Sequence, residues 1–329
     1  MSDFDVVVIG AGVIGLTSAL RLREAGARVA VVTAEPPDAT TSSVAAAVWY
    51  PTRTAFQERV LDWATRTFDE FARQAADGVP GVVMRPTRML LRGAAPELPW
   101  WAAAVPDVRP LGSDEVRAPY TTGWAFTVPS VEMSRYLPWL QQSFAYAGGT
   151  LIRRRIDSLE QASVWAPVVV NASGMGAGAL CGDPDVRPVR GQLVLVANPG
   201  LLTSVRDEDN ADGYAYVHPR STDVVLGGTF DVGEWDTTPS PDTAAAILSR
   251  CTKLVPELAG APVVGHRVGL RPQRSRGVRL EADPHPPGRI RQLIHNYGHG
   301  GAGVTLAWGC ADAATALMDS SHSRGLGVR

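Results

Sequence analysis

Gly10, Gly12 and Gly15 stand in the spacing Gly-x-Gly-x-x-Gly (Gly10-Ala11-Gly12-Val13-Ile14-Gly15), directly after the β-branched run Asp5–Ile9. In that position each glycine has a mechanical task. Gly10 makes a tight turn, Gly12 lets the backbone approach a pyrophosphate, Gly15 lets a helix pack closely on a strand, and the helix N-terminus faces the phosphates. Glu35 follows Gly15 by twenty positions, where a carboxylate can accept hydrogen bonds from ribose hydroxyls. This chemistry is dinucleotide binding, and motif and acid alone leave FAD and NAD both open. A second glycine-rich stretch, Leu293-Ile294-His295-Asn296-Tyr297-Gly298-His299-Gly300-Gly301-Ala302-Gly303, also permits close backbone contact with a ligand. His295 and His299 are four residues apart, but on a glycine-rich turn rather than a helix, so packing and hydrogen bonding are expected of them rather than zinc ligation. The hydroxyls and small side chains of Thr40–Trp49 suit a segment lying against a flat ligand, with Trp49 as a candidate for its wall.

The elements that must position these residues follow from periodicity. Asp5–Ile9, a helix from Leu16 to Ala25 stopped by Gly26, and a strand from Arg28 to Thr33 complete a βαβ unit in about thirty residues. Val168–Asn171 is another buried strand running into Ala172-Ser173-Gly174, so it belongs with the first unit. Helical patterns run over Thr54–Ala76, Ser130–Ala147 and Val304–Met318; Pro138 predicts a kink or a late start in the second. Gln192–Ala197, Gly213–His218, Asp223–Thr229 and Val263–Arg267 alternate as strands of a mixed or antiparallel sheet carrying Tyr214 and Tyr216. The fold class is α/β: a discontinuous Rossmann-type cofactor domain (1–52, 130–190 and 266–329) and an α+β substrate domain (53–129 and 191–265). Trp100 and Trp101 are expected in the core or at an interface.

Composition narrows the function classes. The 329 residues carry 31 Lys+Arg against 33 Asp+Glu, a net charge of −2, which asks for no nucleic acid and no acidic tail. Cys181, Cys251 and Cys310 have no CxxC spacing, so reduced thiols are expected rather than disulfides or a metal site. Apolar stretches break well short of about 18 residues, and no basic segment precedes a hydrophobic one near the start. A soluble cytoplasmic protein with no metal is the expectation.

With Val268-Gly269-Leu270-Arg271-Pro272 ahead of His-Asn-Tyr-Gly-His-Gly-Gly-x-Gly, the chain resembles the D-amino-acid oxidase family of flavoproteins from Asp5 to about Leu317. The resemblance implies FAD as the cofactor and a D-amino acid and dioxygen as the small-molecule partners, with a homodimer as the expected assembly. It implies that Arg271 holds the substrate carboxylate as a bidentate pair, that Tyr216 adds its hydroxyl, and that the Gly301 carbonyl meets the amine. Tyr214 corresponds to the tyrosine of an active-site lid, here shortened to about Asp207–Ala215. Tyr50 stands where mammalian members carry glutamine. The family's cofactor contacts fall on Gly10, Ala11, Gly12, Val13, Ile14, Gly15, Glu35, Thr41, Ser42, Ala46, Ala47, Ile156, Ser173, Gly174, Gly300, Gly301, Gly303, Val304 and Thr305. The ribose acid departs from mammalian members, which carry aspartate at the place of Ala34.

The implied reaction is hydride transfer from the substrate Cα to flavin N5, reoxidation by dioxygen to give hydrogen peroxide, and hydrolysis of the imino acid to a 2-oxo acid and ammonia. A D-aspartate oxidase would need an additional cation, whereas the lid reads Asp207-Glu208-Asp209-Asn210-Ala211-Asp212. Neutral or hydrophobic D-amino acids are therefore the expected substrates. The alternatives are acidic ones, or a dehydrogenase passing electrons to an acceptor other than oxygen. Glycine and sarcosine oxidases share the FAD unit but lack the His-Asn-Tyr-Gly-His segment.

Overall fold

The structure, a computed structural model, describes residues 3–51, 57–93, 97–207 and 209–323. Its first sheet is built from β1 (Val6–Ile9), β2 (Val29–Thr33), β6 (Thr150–Arg153), β7 (Val168–Asn171), β14 (Arg279–Ala282) and β15 (Gln292–Tyr297). The spatial order is β14-β15-β7-β1-β2-β6, parallel except for β14. Every residue of β1, β2 and β7 is buried, which explains their unbroken valine runs: helices cover one face and a second apolar layer covers the other. The helical side holds α1 (Val13–Glu24), α2 (Glu58–Ala76), α3 (Met133–Tyr146) and α6 (Gly303–Ser323); the other side is filled by Val7, Ile9, Leu159, Ala162, Ala166 and Leu293. This is the Rossmann-type layer expected from the sequence.

The second sheet has nine strands: β3 (Val82–Leu91), β4 (Arg109–Pro110), β5 (Thr122–Val131), β8 (Val186–Ala197), β9 (Ser204–Asp207), β10 (Ala215–Pro219), β11 (Asp223–Gly227), β12 (Asp231–Val232) and β13 (Val263–Arg274). Its pairs are antiparallel apart from β3 with β9, so the sheet is mixed. One face packs Val194, Val196, Val217, Val224 and Leu226 against Ile247 and Cys251 of α5 (Pro241–Leu254). The opposite face presents Leu193, Leu195, Val225 and Tyr216 towards Ala46. Near the junction of the sheets, the short helix α4 (Ala177–Cys181) follows the turn after β7.

Several boundaries differ from expectation, for local reasons. Ser130 and Val131 extend β5, and α3 begins at Met133 and runs through Pro138 instead of starting late. Proline has no N–H to donate to the preceding turn, and burial of Met133, Leu137, Leu140 and Phe144 along one face offsets that loss. The expected helix from Thr54 is described from Glu58; residues 52–56 lie outside the described residues. The strand expected to end at Arg267 continues to Arg274, so Gly-Leu-Arg-Pro lies inside a strand. Strands β3 and β5 were not legible in the sequence, because their burial alternates only partly. Trp101 and Trp49 are core residues, each edge-on to the other and packed with Phe126 and Phe68. Among the described residues no helix is long and apolar enough to cross a membrane.

Helices α6 and α2 approach closely at Gly309 of α6. A Cβ there would overlap the backbone of Trp63 in α2, and the Gly309 amide donates to the Thr67 hydroxyl at 2.9 Å. Backbone cannot step aside as a flexible side chain can. Gly309→Ala is expected to lower stability by about 2–3 kcal/mol through overpacking, read as a fall in the thermal unfolding midpoint; an unchanged midpoint would contradict this packing.

Candidate functional site

One cavity of about 590 Å³ lies where the two sheets meet, within the roughly 300–1,000 Å³ common for small-molecule sites. It is reached by the C-terminal ends of β1, β7 and β15 from the first sheet and by β8, β10 and β13 from the second. Gly10, at the end of β1, has φ of +104°, and a Cβ there would press on the Ala172 carbonyl. Gly15 does not line the cavity; it packs beneath the turn, where a Cβ would collide with the Gly10 carbonyl. Ala11, Gly12, Val13 and Ile14 line the wall at the start of α1.

The ends of two helices define the charge of this wall. Neither α1 nor α6 has an acidic residue in its first turn, and the residues leading into both line the cavity, Gly300, Gly301, Gly303, Val304 and Thr305 among them. Helix N-termini carry partial positive charge and unsatisfied amides, which favours an anion there. The Ser42 hydroxyl accepts from the Val13 amide at 3.0 Å, which draws the turn Thr41–Val44 over α1. The Thr41 hydroxyl donates to the Leu270 carbonyl at 3.0 Å, tying the same turn to β13. Ala46, Ala47, Ile156, Ser173 and Gly174 complete this part of the lining, and Glu35 lies at its edge, paired with Arg153 at 3.2 Å. Asn296 Oδ1 is buried on this wall without a hydrogen-bond partner among the described residues, while its amide donates to Ser18. A long, largely apolar cleft with two helix N-termini free of acidic side chains and a spare acceptor fits a dinucleotide carrying a pyrophosphate.

The second sheet contributes the reactive wall. Arg271 is half-buried and donates from Nη1 to the Thr229 carbonyl at 3.0 Å and to the Arg190 carbonyl at 3.4 Å, with its guanidinium 5.5 Å from the Phe230 ring. Among the described residues it pairs with no carboxylate. Gly191, on the neighbouring strand, makes the space: a Cβ there would occupy the place of the guanidinium. Tyr216 is treated the same way by Gly227, its cross-strand partner, whose Cβ would overlap the phenol ring. Burial pushes the Tyr216 phenol up, against the opposing pull of Arg271, so the hydroxyl keeps its proton and can donate. Tyr214 and Gly301 also line the cavity.

Other expected residues fall elsewhere. Tyr50 does not line the cavity; it is buried behind it, its hydroxyl 3.7 Å from Met89 Sδ and its ring covered by Arg206 at 3.5 Å. The Thr305 hydroxyl accepts from the Tyr50 amide and donates to the Tyr50 carbonyl, both at 3.0 Å. Trp49 does not form the cavity wall: it is fully buried, with its indole N–H donated to Ala64. The acidic lid is only partly a free charge, since Asp207 is fully buried and paired with Arg92 and the Tyr120 hydroxyl; Glu208 lies outside the described residues. His295 donates or accepts against Asp283 at 2.9 Å, and no metal-binding cluster occurs among the described residues.

Arg206 and His218 line the cavity and were not singled out in the sequence. The signal for His218 was present: Tyr214, Tyr216 and His218 alternate, so they share a strand face. Arg206 had no such signal, because its position opposite Tyr216 depends on pairing between β9 and β10.

Residues 5–317 match a protein family described as FAD dependent oxidoreductase. The chain is 51% identical over 317 residues to D-amino-acid oxidase of Rubrobacter xylanophilus, covering 96% of each. It is 46% identical over 318 residues to D-amino-acid oxidase of Streptomyces coelicolor (96% and 97% covered). Over 338 residues it is 34% identical to D-aspartate oxidase of Homo sapiens (98% and 97%). Among solved structures, glycine oxidase of Geobacillus kaustophilus has the same fold, with a TM-score of 0.82 at 22% identity over 97% of this chain and 95% of that one.

The buried histidines have a consequence for acid stability. His299 is held near a pKa of about 3 by burial alone, against 6.5 when free, and burial lowers His218 and His295 in the same direction. A depressed histidine stays neutral in the folded chain while the unfolded chain takes up the proton, so its contribution is present above pH 6.5 and is lost as pH falls towards 3. Urea unfolding midpoints are therefore expected to drop below pH 6.5. In His299→Gln the drop is expected to be shallower by up to about 1.4 kcal/mol per pH unit, and an identical slope would refute the assignment.

Proposed function

Because the chain belongs to the FAD-dependent oxidoreductase family, is an FAD-dependent oxidase and has FAD as its cofactor, we propose that it oxidises D-amino acids to 2-oxo acids. The single observation that carries this reading is Arg271: a guanidinium on a cavity wall, held by backbone carbonyls and paired with no acid among the described residues. A half-buried cation in that state is poised for an anionic ligand, and a planar fork matches a carboxylate in two parallel hydrogen bonds. The Tyr216 hydroxyl donates to the same carboxylate, and the Gly301 carbonyl accepts from the substrate amine. With carboxylate and amine held at fixed places, only one enantiomer presents its Cα–H to the cofactor wall.

The cofactor is held, on this reading, by Gly10–Ile14 and Gly300–Thr305 at its pyrophosphate. Glu35 serves the ribose, and Thr41, Ser42, Ala46, Ala47, Ile156, Ser173 and Gly174 lie along its length. FAD, when bound, supplies the acceptor for the hydride of Cα and passes the electrons to dioxygen as hydrogen peroxide. Beside the carboxylate site, neither Tyr216 nor His218 is suited to act as a base at neutral pH. His218 and His299 are weak bases because burial lowers them, and Tyr216 keeps its proton. The protein's contribution is therefore orientation and exclusion of water rather than proton abstraction.

Oxygen uptake by the purified holoenzyme tests the reading. D-alanine, but not L-alanine, is expected to bleach the flavin bands and yield peroxide; bleaching without oxygen uptake would indicate a dehydrogenase with another acceptor. Arg271→Leu is expected to retain flavin and lose at least about 100-fold in kcat/KM, the scale of a lost charge-assisted pair. Unchanged kinetics would overturn the carboxylate role.

For the side chain of the substrate, the remaining lid acids Asp209 and Asp212, both exposed, favour neutral D-amino acids. A second reading, oxidation of D-aspartate or D-glutamate, is favoured by Arg206, a second guanidinium on the cavity wall, and by the neutralisation of Asp207. A higher kcat/KM for D-methionine than for D-aspartate supports the first. The opposite order, with Arg206→Leu lowering D-aspartate turnover by tens-fold, supports the second.

A further inference from the structure

On the far side of Tyr216 from Arg271 lies a group of polar atoms that the reaction leaves unused. His218 is 3% exposed and Ser204 0% exposed, yet His218 Nδ1 and Ser204 Oγ have no hydrogen-bond partner among the described residues. Arg85 Nε is in the same condition, although its Nη1 donates to the Leu202 carbonyl at 2.8 Å. Strand pairing puts the three together. Val217 pairs with Val205, so the antiparallel register carried on by one residue sets His218 opposite Ser204. Ser204 pairs in turn with Thr87, and Arg85, two residues before Thr87, points to the same face. Leaving buried polar groups unmatched is costly, and native chains keep few of them.

His218 is the member of this group that lines the cavity. Its ring stacks on Tyr216 with centroids 4.8 Å apart and an interplanar angle of 19°, which places it beside the phenol that faces the carboxylate site. We propose that His218, backed by Ser204 and Arg85, is a specificity-determining residue that hydrogen-bonds a carbonyl oxygen at the end of the substrate side chain, so that carboxamide and carboxylate side chains are preferred to apolar ones of equal length. Burial and the neighbouring charges of Arg206 and Arg85 keep the imidazole neutral, which leaves one ring N–H as a donor to an oxygen acceptor. An apolar side chain would leave the imidazole N–H of His218 unmatched, and this asymmetry gives such sites their discrimination.

This inference rests on the D-amino-acid reading, and two readouts keep their failures apart. The first is kcat/KM of the holoenzyme for D-glutamine and D-glutamate, each divided by that for D-methionine. In His218→Leu, which keeps a side chain against Tyr216 but has no N–H, both ratios are expected to fall at least tenfold; in His218→Gln, which restores a donor, they are expected to recover in large part. A larger effect on D-glutamate than on D-glutamine would assign the carboxylate as the favoured source of the oxygen, and the reverse would assign the carboxamide. The second readout needs no turnover: the shift of the flavin spectrum on titration with glutarate or with pentanoate. His218→Leu is expected to weaken glutarate at least tenfold more than pentanoate. Ser204→Ala, close to constant in volume, is expected to move the same ratios in the same direction by a smaller factor, and it serves if His218→Leu fails to hold flavin. Ratios unchanged within twofold in these variants overturn the role of His218. If no D-amino acid is oxidised by the unaltered protein, the D-amino-acid reading falls, and the titrations alone decide the subsite.

Discussion

A half-buried guanidinium that is not neutralised by an acid constrains the rest of this structure. Arg271 must be kept away from carboxylates, since a protein partner would occupy the place of an anionic ligand, and yet it must not be left unsupported, because an isolated buried charge is costly. The fold resolves this with backbone. Arg271 lies inside a long strand, over a glycine that vacates its path, with the Thr229 and Arg190 carbonyls accepting from one nitrogen. Those carbonyls are placed by the chain on either side of it, so the strand order of the second sheet, the turn after β11 and the glycines at 191 and 227 all bear on one side chain.

The other half of the site follows from the ends of the first sheet. Parallel strands deliver their C-terminal turns to one edge, and the two helices leaving that edge point their N-termini into the same cavity. A chain of net charge −2 thereby acquires a local field that favours anions without any excess of basic residues. The two sheets are fastened near this edge by a shared carboxylate: Asp183 accepts from Arg274 of β13 at 2.8 Å and from the Tyr297 hydroxyl of β15 at 2.9 Å. One acid thus joins the strand that carries Arg271 to the strand that leads into the glycine turn.

The lid illustrates how composition can mislead about electrostatics. A run of acids beside a substrate site reads as a repulsive field, but Asp207 is neutralised by Arg92 and turned into the protein, while its neighbour Arg206 faces the cavity. Alternation along a strand separates adjacent charges onto opposite faces, so two residues next to each other in sequence act in different places.

The cofactor half was legible in the sequence because its signals are local. A valine run, three glycines at fixed spacing, an amphipathic helix and a terminal acid lie within about thirty residues, and each reflects a steric requirement of the neighbouring backbone. The glycine-rich segment from His295 to Gly303 was legible for the same reason, and resemblance drew Arg271 and Tyr216 out of a crowd of other arginines and tyrosines. Tertiary structure alone decided the remainder. That Gly191 and Gly227 exist to admit Arg271 and Tyr216, that Arg206 stands opposite Tyr216, that Tyr50 and Trp49 lie behind the cavity wall, and that Asp207 is silenced are all consequences of register between strands distant in sequence. Periodicity tells which face of its own strand a residue occupies, but the partner across the ladder is chosen by the packing of the whole sheet, and it is across the ladder that this site is assembled.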